Sequence, residues 1–231
     1  MDCLEGMKSM DDNSIDLICT SPPYNVSKRK KNWHSFKFQD YDGYGDSLND
    51  NEYTEFMINI LNECHRVLKP SGSLMFNHKV RTLDKVAIHP LSIIFQTNLI
   101  LKQEIIWNYN DTHIHNPDRF YPINEMIYWC IKEPKQTYFN SEYGCYTTVW
   151  DIRRANKKKE GCIHPAPFTM EIPKRCIEAL TKENDIVLDP FMGSGTTAVV
   201  AKKLNRNYIG FDISQNYIDI ANKRLEELNA N

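Results

Sequence analysis

Apolar residues along the chain follow two different periods in alternation. They recur at helical spacing across residues 51–68, 173–180 and 216–228, which predicts an amphipathic helix in each range. Short continuous apolar runs, typical of buried strands, lie at 14–20, 73–77, 101–109, 123–132, 185–188 and 208–211. Strands that alternate with helices predict an α/β fold, in which a mostly parallel sheet is covered by helices on both faces.

The rest of the chain shows weaker patterns. We predict a further helix within residues 83–96, and a short one that begins near Asp2. Three ranges show neither the helical nor the strand spacing of apolar residues, so we expect irregular loops there: 26–46, 111–121 and 133–161. We find no internal repeat and no low-complexity tract in the sequence.

A strand–turn–helix–strand unit near the C-terminus carries the first chemical signal. The strand at 185–188 runs into a turn that contains Gly193-Ser194-Gly195, and a helix at 198–204 follows. The next strand, at 208–211, ends on Asp212. Glycine lets a backbone approach a ligand closely, and a carboxylate at a strand end can bind ribose hydroxyls. This unit therefore predicts a site for a cofactor that contains a nucleoside.

The position of this unit argues against a dinucleotide-dependent dehydrogenase. Gly193-x-Gly195-x-x-Ala198 fits the dinucleotide fingerprint loosely, and such a match is weak by itself. Too few residues follow Gly195 to complete a doubly wound sheet, so the other strands must come from earlier in the chain. A dehydrogenase normally opens with this turn.

The second chemical signal is Ser21-Pro22-Pro23-Tyr24, directly after the first strand. Two prolines stop the strand and hold the chain stiffly, because proline fixes φ and has no N–H group. The exocyclic amino group of a base could donate its hydrogens to Ser21 Oγ and to the Pro22 carbonyl. The Tyr24 ring could then stack on that base.

Composition and charge narrow the class of protein. The chain has 231 residues, enough for one domain with its own core, and a formal net charge of −2. A charge so close to neutral argues against a surface coated with positive charge, so contacts to nucleic acid must be local. We assign such phosphate contacts to Lys28, Arg29, Lys30 and Lys31, which precede several aromatic residues, and to Arg153 and Arg154.

Cysteine usage and hydropathy favour a cytoplasmic location. The seven cysteines are scattered without a C-x-x-C pair, which argues against a disulfide framework or a zinc ribbon, and we expect all of them in the core. The chain has no signal peptide and no apolar run of membrane-spanning length, so we expect no membrane association. His113-x-His115 lacks further ligands at suitable spacing, and we predict no metal site.

In these two motifs and their order, the chain resembles the S-adenosylmethionine-dependent DNA amino-methyltransferases of the β-type motif order. In that family a catalytic S/D-P-P-Y motif precedes an F-x-G-x-G cofactor motif, as Ser21-Pro22-Pro23-Tyr24 precedes Phe191-Met192-Gly193-Ser194-Gly195 here. The resemblance covers nearly the whole chain. It implies a Rossmann-like methyltransferase sheet with circularly permuted motif order.

The resemblance also implies the roles of individual residues. The catalytic residues are Ser21, Pro22, Pro23 and Tyr24. The residues that bind S-adenosylmethionine are Asp2, Cys3, Leu4, His164, Pro165, Asp189, Phe191, Gly193, Ser194, Gly195, Thr196 and Asp212. The family has a strand just before Asp2-Cys3-Leu4 that this sequence does not contain.

The partners implied by the resemblance are double-stranded DNA, a cognate restriction endonuclease system and, as an open possibility, a second copy of the chain. We expect residues 1–231 to form a single catalytic domain, with a small target-recognition insertion at 110–163. Its short length predicts a short recognition sequence. The target base is expected to flip out of the duplex to reach the methyl donor.

Several activities stay open at this point. Serine at the first motif position favours the N4 amino group of cytosine, and the N6 amino group of adenine is the alternative. Carbon-5 methylation of cytosine is excluded, because it needs a cysteine that typically follows proline, and no Pro-Cys pair occurs. Two further hypotheses are a methyltransferase that acts on RNA or on a protein glutamine, and a silent nucleic-acid-binding module.

Overall fold

The computed structural model describes residues 1–25, 48–110, 119–155 and 168–228. Six helices lie in these ranges: α1 Cys3–Lys8, α2 Asp50–Val67, α3 Leu91–Ile94, α4 Glu171–Leu180, α5 Thr196–Lys203 and α6 Gln215–Glu227. The first five strands are β1 Ile15–Thr20, β2 Leu68–His78, β3 Arg81–Leu83, β4 Val86–Ile88 and β5 Ile100–Asn108. The other strands are β6 Asn124–Ile131, β7 Val149–Asp151, β8 Ile186–Asp189 and β9 Asn207–Gly210, and a short 3-10 helix spans Ser141–Cys145.

One central sheet has the strand order β7-β5-β6-β2-β1-β8-β9. Strands β2, β1, β8 and β9 run parallel to one another, and β7 runs parallel to β5. Strand β6 runs antiparallel to both of its neighbours, β2 and β5. The prediction of a mostly parallel α/β sheet is therefore confirmed. All strands of the parallel half point their carboxyl ends to the same edge of the sheet.

The helices cover both faces of this sheet, as predicted. Alternate residues of a strand face opposite sides, and Ile18 of β1 packs in the cluster that includes residues of α1 and α2. Its neighbours Leu17 and Cys19 pack in the cluster that includes residues of α4 and α5. Two apolar layers of this kind enclose the sheet, which is the arrangement expected of strands that are apolar along their whole length.

Helix α2 shows how the local sequence fixes an element. Asn49 accepts a hydrogen bond from the Glu52 backbone N–H, and the Glu52 side chain accepts one from the Asn49 N–H, which is a complete capping box. The helix then buries one stripe of side chains: Tyr53, Met57, Ile60, Leu61, Cys64 and Val67. Its observed bounds agree closely with the range predicted from the apolar period.

The helix predicted within residues 83–96 is wrong. Strands β3 and β4 form a hairpin here, with Leu83 paired to Val86, and only the single turn of α3 follows. Asp84 and Lys85 between the strands both have positive φ, at 46° and 69°. Two such residues form the tight turn that matches the twist of a hairpin, so turn geometry overrides the weak helical period. Residues 69–72 lie within β2, where its pairing with β1 shifts register between the pairs Ile15–Leu68 and Leu17–Ser73.

The range 110–163 contributes to the sheet itself. Strands β6 and β7 lie within it and pair with β2 and β5. Residues 111–118 and 156–163 lie outside the described part of the chain, and a role of this range in target recognition stays a prediction. The 26–46 loop also lies outside the described residues.

The cysteines and the membrane prediction can be compared with the structure in part. Cys3, Cys19, Cys64, Cys130 and Cys176 are buried and free, as expected, but Cys145 is exposed on the 3-10 helix, so that expectation is wrong. Cys162 lies outside the described ranges. Within those ranges, every helix is too short or too polar to cross a membrane.

Helix α1 depends on a glycine at its contact with Phe211, the residue that follows β9. A Cβ atom at Gly6 would lie 2.6 Å from Phe211 Cζ, which is closer than real Cβ contacts allow. Alanine normally favours a helix over glycine by about 1 kcal/mol. Overpacking of a contact costs about 1–3 kcal/mol, so we expect Gly6→Ala to lower the free energy of unfolding.

Urea unfolding measures this effect, with Gly144→Ala as the matched control. A Cβ atom at Gly144 would meet Phe139 only at 4.0 Å, an ordinary contact, so the control should be nearly neutral. Equal stability of the Gly6→Ala variant and the original chain would contradict the packing argument.

Candidate active site

Two strand ends that are distant in sequence meet at the carboxylate of Asp189. Thr20, the last residue of β1, donates its hydroxyl hydrogen to Asp189 Oδ1 over 2.7 Å. Thr197 at the start of α5 donates to Asp189 Oδ2 over 2.8 Å. The Phe191 backbone N–H donates to Oδ1 over 3.1 Å. These bonds hold the Ser21 segment and the glycine turn on adjacent strand ends of one crevice.

Asp189 is almost fully buried, at 6% exposure. Burial raises its pKa to about 6, and the three hydrogen bonds from Thr20, Thr197 and Phe191 work in the opposite direction. Asp189 is thus buried at the end of β8, where its hydrogen bonds join this end to that of β1.

The glycine turn is shaped by backbone geometry that other residues rarely adopt. Gly193 and Gly195 have φ values of 51° and 79°. A Cβ atom at Gly195 would lie 2.7 Å from the Ala221 Cβ atom, so the turn sits directly against α6. Arg224 of α6 donates to the Ser194 carbonyl over 2.6 Å and holds the turn from below.

Asp212 follows β9 and lies beside the glycine turn. Its carboxylate accepts hydrogen bonds from the Gly193 N–H over 2.9 Å and from the Ser214 N–H over 2.8 Å. Burial raises its pKa, while the bonds from Ser214 and Gly193 lower it in part. A carboxylate fixed in this way keeps further lone pairs for hydroxyl groups of a ligand.

The start of α1 lies close to Asp212. Asp2 caps this helix by accepting a hydrogen bond from the Leu4 N–H over 2.8 Å. Burial raises the pKa of the Cys3 thiol to about 12, and the charges of Asp2 and Asp212 raise it further. The Met1 amino group donates to the Asp212 backbone carbonyl over 2.7 Å, so the segment 2–4 begins beside Asp212. Its role in cofactor binding stays a prediction.

Ser21 and Tyr24 belong to a compact group of polar side chains. Ser21 Oγ lies 2.8 Å from the Tyr24 hydroxyl oxygen, and this hydroxyl donates to Glu125 Oε2 over 2.9 Å. Asn77 Nδ2 lies 3.2 Å from Ser21 Oγ, 2.7 Å from the Tyr24 hydroxyl and 3.0 Å from Glu125 Oε2. We call Ser21, Tyr24, Asn77 and Glu125 the serine network.

The two prolines have different surroundings. The Pro23 carbonyl accepts a hydrogen bond from the Tyr53 hydroxyl over 2.8 Å. The Tyr53 hydroxyl also lies 2.7 Å from His78 Nε2, and burial lowers the pKa of His78 to about 3, so this imidazole is neutral. The Pro22 carbonyl makes no hydrogen bond to any residue that the structure describes. It is the carbonyl of the pair that can accept one from a ligand.

The predicted DNA contacts can be placed only in part. Arg153 and Arg154 are both exposed. The Arg154 guanidinium lies 3.7 Å from the centre of the Tyr109 ring. Tyr109 directly follows β5, which pairs with β6 at Trp107 and Glu125. Arg154 is therefore near the serine network. Several of the residues named in the sequence analysis lie outside the described part of the chain: Lys28, Arg29, Lys30, Lys31, His113, His115, His164 and Pro165.

Three residues of the site were missed by sequence reasoning. Asn77 and Glu125 reach Ser21 only through strand pairing, since β2 lies between β1 and β6. Arg224 reaches the glycine turn because α6 packs back on α5. No local motif marks any of them. A partial signal was the polar Asn77 at the end of an otherwise apolar strand.

Comparison with known protein families gives a clear match. A family model described as DNA methylase, with the short name N6_N4_Mtase, matches residues 15–223. This range contains both the Ser21 segment and the glycine turn.

Several curated relatives are named as DNA methyltransferases. The chain is 32% identical to the type II methyltransferase M.BglII of Bacillus subtilis over 95% of its length and 66% of the relative's. It is 34% identical to the type II methyltransferase M.HpaI of Haemophilus parainfluenzae, over 96% of this chain and 72% of the relative. It is 26% identical to the DNA adenine methyltransferase YhdJ of Escherichia coli strain K12, over 97% of this chain and 81% of the relative. The chain thus spans about two thirds of the length of its first two relatives.

Among solved structures, the PvuII DNA methyltransferase, described as cytosine-N4-specific, has the same fold. The TM-score is 0.76 at 22% identity, and the match covers 97% of this chain and 84% of that one. At this level of identity the likeness concerns the fold alone.

The role of Asp189 as a link between strand ends gives a test of stability. Thr20→Val removes one donor from the ionised carboxylate, so we expect it to lower the free energy of unfolding at pH 8 by about 1–3 kcal/mol. The effect should shrink as the pH falls through about 6, because Asp189 is then protonated and needs that donor less. Urea unfolding at pH 5 and pH 8 measures both values.

Thr137→Val is the control for this test. Thr137 donates to the Glu133 carbonyl at the surface, far from a carboxylate in the core. Its effect should be small and the same at both pH values. A pH-independent loss for Thr20→Val would refute the assigned role of Asp189.

Proposed function

The chain belongs to the N6/N4 DNA methylase family, and we propose that it transfers a methyl group from S-adenosylmethionine to the exocyclic amino group of a base in double-stranded DNA. The observation that carries this proposal is the junction at Asp189. It brings the Ser21 segment and the glycine turn to adjacent strand ends. An activated methyl donor and an acceptor base would have to meet at such a place.

The residues of the turn side fit S-adenosylmethionine. A crevice whose floor contains Gly193 and Gly195 at positive φ lets the backbone approach a ligand, and the Asp212 carboxylate at the next strand end suits ribose hydroxyls. We assign the cofactor to this side, with the segment 2–4 beside the nucleoside. When bound, S-adenosylmethionine supplies an electrophilic methyl group on a sulfonium.

The residues of the serine side fit an amino group that must become a better nucleophile. The lone pair of an aromatic amine is delocalised into its ring. Hydrogen bonds from the amine to Ser21 Oγ and to the Pro22 carbonyl localise this lone pair. Two acceptors fixed in place also orient the nitrogen for an in-line attack, so positioning and electrostatics provide most of the rate enhancement.

The base must leave the duplex to reach this crevice. We assign the Tyr24 ring as the surface on which the extruded base stacks. We assign Arg153 and Arg154, together with Lys28 to Lys31, to the phosphate backbone around it. Binding through phosphates weakens steeply with salt. A cognate endonuclease agrees with the type II names of the relatives, and it forms part of the proposal.

We favour the N4 amino group of cytosine as the target. Serine at the first position of the catalytic segment supports this choice, and the fold neighbour from PvuII is described as cytosine-N4-specific. The N6 amino group of adenine is the second candidate, supported by the name of the relative YhdJ.

Mass spectrometry of nucleosides distinguishes these products. Unmethylated duplex DNA is incubated with the protein and isotopically labelled S-adenosylmethionine, then digested to nucleosides. We expect labelled N4-methyldeoxycytidine, whereas N6-methyldeoxyadenosine would assign the second candidate. No label in DNA, or label in RNA or protein instead, would refute the proposed function.

Two substitutions separate the two sides of the crevice. Ser21→Ala removes an acceptor that acts on the amine, so we expect methyl transfer to fall by roughly 10²–10³-fold with donor affinity nearly unchanged. Asp212→Asn removes charge-assisted hydrogen bonds to the donor, so we expect its Kd to rise by roughly tenfold or more. Calorimetry gives the Kd, and single-turnover assays give the rate. A Ser21→Ala variant that loses donor affinity but keeps the rate of the bound donor would contradict this division.

A further inference from the structure

The serine network ends on a carboxylate that neither sequence motif contains. Glu125 lies near the start of β6 and is half-buried. Its Oε2 atom is the acceptor for both the Tyr24 hydroxyl and the Asn77 amide. An ionised carboxylate can only accept hydrogen bonds, whereas hydroxyl groups can both donate and accept. Glu125 therefore determines the direction of the hydrogen bonds that lead to Ser21.

The direction follows from counting hydrogens. The Tyr24 hydroxyl has a single hydrogen, which it donates to Glu125 over 2.9 Å. Its oxygen is then an acceptor for Ser21, 2.8 Å away, and the single hydrogen of Ser21 is committed to that bond. One lone pair of Ser21 Oγ accepts from Asn77 Nδ2 over 3.2 Å, and the second lone pair remains for a hydrogen-bond donor. The amino group of a base requires an acceptor lone pair on Ser21 Oγ, because such a group donates hydrogen bonds.

Asn77 supports the same direction. Its Nδ2 group faces Glu125, Tyr24 and Ser21, while Oδ1 is buried without a hydrogen-bond partner among the described residues. A buried unpaired acceptor is costly. The amide nevertheless keeps this orientation, since turning it would bring Oδ1 against the carboxylate oxygen. The orientation of Asn77 is thus a second consequence of the charge on Glu125.

We propose that Glu125 is a positioning residue that acts through Tyr24 and fixes the Ser21 hydroxyl as a hydrogen-bond acceptor for the amino group of the target base. This inference rests on the proposed methyl transfer and deepens it. Glu125 itself does not touch the reacting atoms. If it were neutral, the Tyr24 hydrogen could turn toward Ser21 and occupy the lone pair that the base requires.

Glu125→Gln tests this role with little change in volume. The amide can donate to the Tyr24 oxygen, which permits the reversed direction. We expect single-turnover methyl transfer to fall by about tenfold or more, with the Kd for S-adenosylmethionine and the midpoint of thermal unfolding unchanged. Glu104→Gln is the matched control, because Glu104 is an exposed carboxylate on the neighbouring strand β5, and it should keep the original rate.

A double-mutant cycle separates a serial arrangement from a general effect of charge. Tyr24→Phe keeps the ring but removes the hydroxyl that links Glu125 to Ser21, and it leaves only the contacts of Asn77 with both residues, so it should also lower the rate. In the Tyr24→Phe background, Glu125→Gln should cause a much smaller further loss than in the original chain. An equal loss in both backgrounds would overturn the proposal, as would a Glu125→Gln variant with the original rate.

These outcomes stay distinct from failure of the proposed function. A chain that transfers no methyl group to DNA refutes the function itself, whereas an active chain that is insensitive to Glu125→Gln refutes only this inference. If Glu125→Gln does not fold, Tyr24→Phe alone decides: a variant with the original rate overturns the proposal, and a slower one with unchanged donor affinity supports it.

Discussion

The buried carboxyl group of Asp189 joins the two halves of the candidate site. Its oxygens accept hydrogen bonds from Thr20, which precedes the Ser21 segment, and from Thr197, which follows the glycine turn. Burial of a charge opposes folding, and these bonds offset part of that opposing term. As a consequence, the Ser21 segment and the glycine turn, which are far apart in sequence, are held at fixed positions relative to each other. A methyl transfer that needs an in-line approach benefits from this restriction.

The direction of the strands explains why side chains from five of them meet at one edge. Strands β1, β2, β8 and β9 are parallel, so their carboxyl ends lie together. Strand β6 is antiparallel and brings its first residues to the same edge. Glu125 thus reaches Tyr24 and Asn77 from the opposite chain direction. The parallel half of the sheet supports the glycine turn, and the mixed half completes the surroundings of Ser21.

Much of this architecture could be predicted because it is encoded locally. The glycine turn, the proline pair and the apolar runs each specify their own backbone, and their order implied the fold. The helix predicted at 83–96 failed, because the positive φ values of Asp84 and Lys85 set a turn that apolar spacing does not reveal. Asn77, Glu125 and Arg224 could not be predicted, since their contacts depend on strand register and helix packing between distant segments.

The antiparallel pairing of β6 has a consequence for how far sequence motifs can be relied on in this family. Ile127 pairs with both Asn77 and Ile105, and this alignment sets the face of the sheet on which each β6 side chain lies. A slip by one residue moves every side chain to the opposite face. A homologue could therefore retain the proline pair and both turn glycines, lose one residue at the start of this strand, and be a poor enzyme that still binds its methyl donor.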